Sequence, residues 1–295
     1  MTRSGFVALA GRPNVGKSTL VNALVGEKIA IVSDRPQTTR RAIRGVCGSG
    51  DCQMVLVDLP GVQRPRDALT ERMAQRVRQE LEGCDATLLV LNGEQGVGPG
   101  DRFIAQALLG ASATTTIAVN KVDRLTRAET IAVLEQAVEL EASEDIFPIS
   151  ARTGDGVEEL VEHLAGAMPE GPFMFGKGAI SDQSRAVLLA ELVREAVIKR
   201  TFHELPHAVE VIVEEIEWVG GNLNNLARVR ALIWVESESQ KAILIGARGH
   251  MIKAIGVAAR RELERELGCQ VHLDLSVRVR RGWRGDEGLL DRLGL

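Results

Sequence analysis

GRPNVGKS, residues 11–18, follows the apolar run FVALA at 6–10 and opens a stretch whose apolar positions recur at helical spacing. The sequence therefore sets a glycine loop between a strand and a helix, and this reading decides the fold of the first half. The pattern G-x-x-x-x-G-K-S suits a polyphosphate. Its glycines let backbone N–H groups wrap phosphate oxygens, Lys17 can reach the β and γ groups, and Ser18 offers a hydroxyl to Mg²⁺. Gly11, Arg12, Pro13, Asn14, Val15, Gly16, Lys17, Ser18 and Thr19 form the candidate phosphate-binding set. By itself the loop implies a nucleoside triphosphate without choosing a base.

Outward from the loop, AIRGVCG, QMVLVD, TLLVLN, TTIAVN and DIFPIS read as strands, with a helix from Ser18 and another at about 66–81. Such alternation predicts an α/β fold: a mostly parallel sheet flanked by helices, with ligands beyond the carboxyl ends of its strands. The remaining motifs fall at such ends. DLPG places Asp58 where a carboxylate can hold a metal-bound water, with Leu59 and Pro60 leading to Gly61, whose N–H can meet a γ-phosphate.

NKVD selects the base. Asp123 can accept two hydrogen bonds from guanine N1–H and its exocyclic amine, a pair that adenine does not offer. Lys121 can lay its stem over the ring, and Asn120 can tie this segment to the phosphate loop. Ser150, Ala151 and Arg152 follow DIFPI where a backbone N–H can meet guanine O6. In the polar loop SDRPQTTRRAI, Thr39 is the candidate for a second protein ligand to Mg²⁺, with Thr38 as the alternative. A threonine that meets the metal only beside a γ-phosphate makes such a loop a switch. The candidate metal set is Ser18, Thr39 and Asp58; the candidate catalytic groups are Lys17, Thr39 and Gly61.

The chain has 295 residues with 45% hydrophobic content, enough for two cores. The expected domains are 1–170 and 182–295, joined at 171–181, where MPEGPFMFGKGAIS breaks all periodicity. Net charge is −4, which excludes a protein that coats nucleic acid with its whole surface. The halves differ: up to Pro172 there are 18 basic and 23 acidic residues, and beyond it 18 and 17. Four cysteines without metal or disulfide spacing suggest reduced thiols in a cytoplasmic protein. No apolar run approaches the roughly 20 residues of a bilayer span, and no export signal is read at the N-terminus.

In the second half SDQSRAVLLAELVREAVIKR has helical spacing, with Val187, Leu188, Leu192 and Val193 as core positions. Two strands follow, HAVEVIVEEIEWV and LARVRALIWVES; the acidic residues between the valines of the first predict a solvated face. Then Gly246, Ala247, Arg248 and Gly249 form a G-x-x-G loop within the frame I-G-x-x-G-x-x-I-K-x-I-G, ahead of the strand CQVHLDLSVRV. Glycines there admit a nucleic-acid backbone, and Arg248 with a helix N-terminus attracts phosphate. This frame resembles a KH domain of type II topology, an α+β unit running helix-strand-strand-helix-helix-strand. Lys253 and the cluster Arg278, Arg280, Arg281 and Arg284 are the further candidate RNA contacts. The chain has no Tyr, and Trp218, Trp234 and Trp283 read as packing residues rather than stacking platforms.

The five nucleotide segments, in order and spacing, resemble the G1 to G5 motifs of translation-factor-related GTPases. Val62 stands where Ras-like proteins carry a water-orienting glutamine. Valine cannot bond to water, so slow intrinsic turnover is expected. Asn14 matches the asparagine with which cation-dependent GTPases hold K⁺. Joined to a type II KH domain, the whole chain resembles the Era family. That resemblance implies GTP and GDP as ligands, the 3′ region of small-subunit ribosomal RNA as partner, and assistance to small-subunit assembly. It also implies a cytoplasmic location with loose contact at the inner face of the cell membrane, and a monomer is expected. The chain departs from the family with Arg248 in place of a lysine and GPFMFGKGAISD in place of a Pro-Glu-rich linker. Two other readings stand beside this one: a GTPase acting mainly through a protein or membrane partner, and a nucleotide-gated RNA-binding protein with negligible catalysis.

Overall fold

The computed structural model describes residues 1–33, 35, 38–61, 68–109, 113–202, 205–219 and 226–293. Val62 and three residues of the polar loop, Asp34, Pro36 and Gln37, lie outside them. The chain divides into two compact units, Met1–Asp182 and Gln183–Leu293.

The first unit is built on six strands: β1 Arg3–Ala10, β2 Ile43–Ser49, β3 Cys52–Asp58, β4 Ala86–Asn92, β5 Thr114–Asn120 and β6 Ile146–Ile149. They are ordered β2-β3-β1-β4-β5-β6, all parallel except β2, which forms a hairpin with β3. β3 and β4 are buried along their whole length, as apolar runs covered on both faces should be. Covering helices are α1 Lys17–Val25, α2 Ala68–Glu82, α3 Pro99–Leu108, α4 Arg127–Val138 and α5 Val157–Ala167. The helix expected at about 66–81 is described from Ala68 onward. The chain runs from β1 to β2 and β3 on one side, then crosses to β4 on the other, so the order reverses at β1. An open sheet binds its ligand at such a reversal, and the loop 11–16 leaves β1 there.

The stretch expected to link two domains lies on the first unit. Gln53 accepts the N–H groups of Met174 and Phe175 at 2.8 and 2.9 Å and donates to the Phe175 carbonyl. Val46 donates its N–H to Ile180, Ser181 its hydroxyl to the Arg44 carbonyl, and Arg44 pairs with Asp182 at 3.5 Å and Glu80 of α2 at 3.1 Å.

The second unit contains α6 Arg185–Ile198, the short α7 Leu205–Ala208, β7 Glu210–Val219, β8 Leu226–Val235, α8 Glu238–Ile245, α9 His250–Leu267, β9 Gln270–Val279 and α10 Glu287–Leu293. Its sheet is ordered β7-β8-β9, antiparallel then parallel. Two expectations need correction. Glu210 is fully buried rather than solvated, because Arg194 is buried with it and supplies the compensating charge. Trp218 is half exposed with the Arg185 guanidinium 5.7 Å from its ring, whereas Trp234 and Trp283 are buried as expected. The terminal helix α10 had no periodic signal strong enough to read. The four cysteines are free; burial pushes the Cys47 thiol up to about 11 and Cys84 up to about 12, which keeps both protonated. Among the described residues no single helix is long and apolar enough to cross a membrane.

Candidate nucleotide and nucleic-acid sites

The loop after β1 has left-handed backbone at Asn14 (φ 65°) and a positive φ at Gly16 (103°), so it coils back over the start of α1. A Cβ on Gly16 would run into Asn120 Nδ2, and glycine is what permits that approach. Lys17 is buried beneath the loop, donating from Nζ to the carbonyls of Gly11 at 2.9 Å and Arg12 at 3.0 Å. Burial lowers its pKa to about 8, partly opposed by the Asp58 carboxylate. Burial likewise pushes Asp58 up, against the pull of Lys17 and of hydrogen bonds from Ser18 and Thr39.

Ser18, Thr39 and Asp58 converge. Ser18 Oγ donates to Asp58 Oδ2 at 2.7 Å and stands 2.9 Å from Thr39 Oγ1, which is 3.4 Å from the same carboxylate oxygen. Asp58 Oδ1 is buried without a hydrogen-bond partner. Two hydroxyls and a carboxylate are hard oxygen donors of the kind Mg²⁺ takes, and an orphaned carboxylate oxygen fits a cation or its water. Thr38 instead donates to the Arg35 carbonyl at 2.7 Å. Leu59 is fully buried, and Gly61 lies so close to Pro13 that a Cβ there would come within 2.8 Å of the ring. A cleft lined by Pro13, Asn14, Gly16, Lys17, Ser18, Thr19, Thr39 and Gly61 opens above these groups.

The base segments knit to the phosphate loop. Asn120 donates to the Val15 carbonyl at 2.9 Å and accepts the N–H groups of Lys121 and Ala151. The Ala151 N–H thus ties the segment after β6 to Asn120. Lys121, itself left-handed at φ 71°, donates to the Asn14 carbonyl at 3.1 Å. Asp123 accepts the Ser150 hydroxyl at 2.7 Å on one oxygen and pairs with Arg152 on the other. These bonds, Ser150 first, hold its carboxyl below the usual range and leave it an anionic acceptor at neutral pH. The sequence reading missed Glu94, which braces this segment through Arg124 at 3.1 Å and Lys121 at 3.6 Å.

In the second unit the loop 246–249 joins α8 to α9. Gly246, Arg248 and Gly249 all have positive φ (72°, 51° and 75°), and the Arg248 side chain is exposed. From Gly256, where a Cβ would touch Leu275 of β9 at 3.5 Å, α9 runs back about 9 Å to its start, and β9 runs on about 10 Å to Arg278. Helix and strand are antiparallel, since only Gly268 and Cys269 join them, so Arg278 and the G-x-x-G loop lie at one end of the unit. Lys253, Arg278 and Arg281 are exposed. Arg280 is engaged elsewhere, over the Trp234 ring at 4.5 Å and 3.8 Å from Asp286. A groove between α9 and β9 is lined by Lys253, Gly256, Val257, Arg260, His272 and Leu273. Of these the sequence reading named Lys253 as a contact; Arg260 follows it by seven residues on the same helical face, a spacing that marks it in retrospect.

A strand-loop-helix phosphate cradle closed by an NKVD segment, followed later in the chain by a three-stranded unit carrying a G-x-x-G helix pair, defines a P-loop GTPase bearing a C-terminal KH domain. Residues 6–121 match the family model described as 50S ribosome-binding GTPase, and residues 204–284 match the KH domain model. The chain belongs to the Era family of GTPases: GTPase Era of Mycobacterium bovis (strain BCG / Pasteur 1173P2) is 44% identical over 295 residues, covering 99% of this chain and 98% of the relative. GTPase Era of Mycobacterium avium (strain 104) is 43% identical with the same coverage. The crystal structure of Era in complex with MgGDPNP and nucleotides 1506–1542 of 16S ribosomal RNA aligns with a TM-score of 0.94 at 33% identity, over 100% of this chain and 99% of that one. A variant of Aquifex aeolicus Era bound to GDP and aluminium fluoride aligns equally well, over 99% of each chain.

Proposed function

We propose that this chain is a Mg²⁺-dependent, GTP-hydrolysing switch that acts as a cytoplasmic monomer. It binds the 3′ region of small-subunit ribosomal RNA through its second unit and assists assembly of that subunit. The observation that carries the reading is its full-length similarity to an Era crystallised with both MgGDPNP and nucleotides 1506–1542 of 16S RNA. That RNA belongs to the small subunit, and the similarity spans the whole chain, whereas the 50S ribosome-binding GTPase family covers residues 6–121 alone.

In this reading the backbone N–H groups of Asn14 to Thr19 cradle the phosphates and Lys17 contacts the β and γ oxygens. Ser18, Thr39 and Asp58 hold Mg²⁺, Asp58 directly or through water. When bound, the cation neutralises charge between the β- and γ-phosphates. The phosphates add anionic partners for Lys17 beyond the Asp58 carboxylate, which favours its protonated form against the effect of burial. Asp123 reads guanine once Arg152 yields its carboxylate oxygen, and Gly61 offers its N–H to the γ-phosphate. Turnover is slow, because Val62 supplies no group to orient water. Asn14 adds a K⁺ site beside the phosphates; equal hydrolysis rates in KCl and NaCl would remove that part. RNA lies along the α9–β9 groove, its phosphates at Arg248, Lys253, Arg278 and Arg281. The membrane contact implied by resemblance draws no support from α10, seven residues that include Glu287 and Asp291.

The test is a titration of single-stranded RNA ending in the small-subunit 3′ sequence against the full chain, loaded with GDP or a non-hydrolysable GTP analogue, at two salt concentrations. Affinity that depends on nucleotide and falls steeply with salt supports the switch and gives its direction. Equal affinity in both states leaves two independent modules, and no RNA binding in either state overturns the reading in favour of a protein or membrane partner.

A further inference from the structure

Between Asn92 and α3 runs a connector, residues 93–98, that together with the first turn of α3 lies outside all five nucleotide motifs. It touches two of them. Arg12, the second residue of the phosphate loop, donates from Nε to Asp101 Oδ1 at 2.8 Å, and its Nη2 reaches the Gly96 carbonyl at 3.4 Å. Asp101 is fully buried, and its other oxygen accepts the Gly98 N–H at 2.9 Å, capping α3. At the other end of the connector Glu94 meets Lys121 and Arg124 of the base segment. The fit is close: a Cβ on Gly100 would stand 2.7 Å from Arg12 Cδ.

A buried carboxylate bonded to a guanidinium is a directional contact, and removing either partner strands the other's charge. The Arg12 side chain is three-quarters buried and turned toward α3, while the carbonyl of the same residue is one of two acceptors for Lys17 Nζ. Fixing the side chain therefore fixes the carbonyl that aims Lys17. One carboxylate thus caps a helix with one oxygen and grips the loop with the other.

We propose that Asp101, acting through Arg12, is a positioning residue for the nucleotide: it anchors the phosphate loop to the start of α3 and so presets the loop before ligand arrives. The inference rests on the nucleotide site proposed above. Its consequence is that Arg12 serves protein geometry and is no phosphate ligand. Preset loops bind more tightly because less order must be imposed on binding.

The test measures binding of fluorescent GDP and of a fluorescent non-hydrolysable GTP analogue to the full-length chain and four variants: Asp101→Asn, Arg12→Ala, Arg12→Lys and the double Asp101→Asn/Arg12→Ala. Thermal melting is recorded beside each. Asp101→Asn and Arg12→Ala should each weaken both nucleotides by about tenfold, the double variant no more than the worse single, and Arg12→Lys less than Arg12→Ala. Wild-type affinity in Asp101→Asn, with a loss in Arg12→Ala confined to the triphosphate analogue, would make Arg12 a phosphate ligand and overturn the proposal. Lower melting temperatures with unchanged affinities would also overturn it, reducing the pair to fold support. Lys17→Ala separates the two levels: if it binds nucleotide like the wild type, the site assignment has failed rather than the brace.

Discussion

Asp123→Asn tests base recognition without changing side-chain volume. In the structure Asp123 Oδ1 receives the Ser150 hydroxyl and Oδ2 pairs with Arg152, with 9% of the side chain exposed. An asparagine keeps its carbonyl for Ser150 and puts an NH₂ group where Oδ2 stood. That group confronts the guanine exocyclic amine, donor against donor, and a charge-assisted bond is lost. Severing such a bond costs about 2 to 5 kcal/mol, which corresponds to roughly 30- to 5,000-fold weaker GTP binding. Xanthine carries a carbonyl where guanine has that amine, so xanthosine triphosphate should recover much of the loss. The assay is displacement of a fluorescent guanine nucleotide from full-length protein by GTP and by xanthosine triphosphate, with melting curves to verify folding. GTP affinity within threefold of the wild type, or no gain for xanthosine triphosphate, would refute the assignment of Asp123 to the base.

Arg248→Glu should weaken single-stranded RNA binding and flatten the plot of log K against log salt by about 0.7, the share of one phosphate contact; an unchanged slope would take Arg248 out of the interface. Trp283 is fully buried and donates its indole N–H to the Ala208 carbonyl at 3.2 Å. Trp283→Ala should therefore cost the second unit about 3 to 5 kcal/mol, abolishing RNA binding while GTP binding by the first unit persists, as calorimetry with separate binding assays would register. Arg44→Ala removes the bridges to Glu80 and Asp182; because these are partly exposed, stability should change by less than about 1 kcal/mol, yet limited proteolysis within residues 172–182 should accelerate. Unchanged cleavage would mean that the backbone bond from Val46 to Ile180 and the Gln53 clasp hold the segment unaided.

Much of the nucleotide site was legible because its chemistry admits few residue types and ties them to strand ends. Asn120 shows how far that goes: its position at the end of TTIAV suggested a tie to the phosphate loop, and its amide does reach the Val15 carbonyl. Thr38 and Thr39 show where it stops. Adjacent threonines are equivalent in any pattern, and only the turn at Arg35 sends one hydroxyl to a carbonyl and the other toward Ser18 and Asp58. Glu210 misled for a related reason. An acidic residue between valines looks solvated until Arg194, sixteen residues earlier on α6, is seen buried beside it. Pairings that span a fold leave no period to read.

Asp101 is the sharpest case, since its local signal is real and incomplete. In GPGDRF, Asp101 stands three residues into α3, and one of its oxygens accepts the Gly98 N–H. No local pattern points to the partner of the second oxygen, which is Arg12, 89 residues away. A cap alone gains nothing from total burial, because water would serve the free oxygen as well. Total burial of a carboxylate is tolerated where a cation is held against it, so the depth of Asp101 and the turn of Arg12 away from the cleft have a single cause. The stretch after β4 thus touches the phosphate segment through this pairing and the base segment through Glu94, without carrying a motif. It contributes geometry, and geometry constrains residue pairs where chemistry constrains residue types.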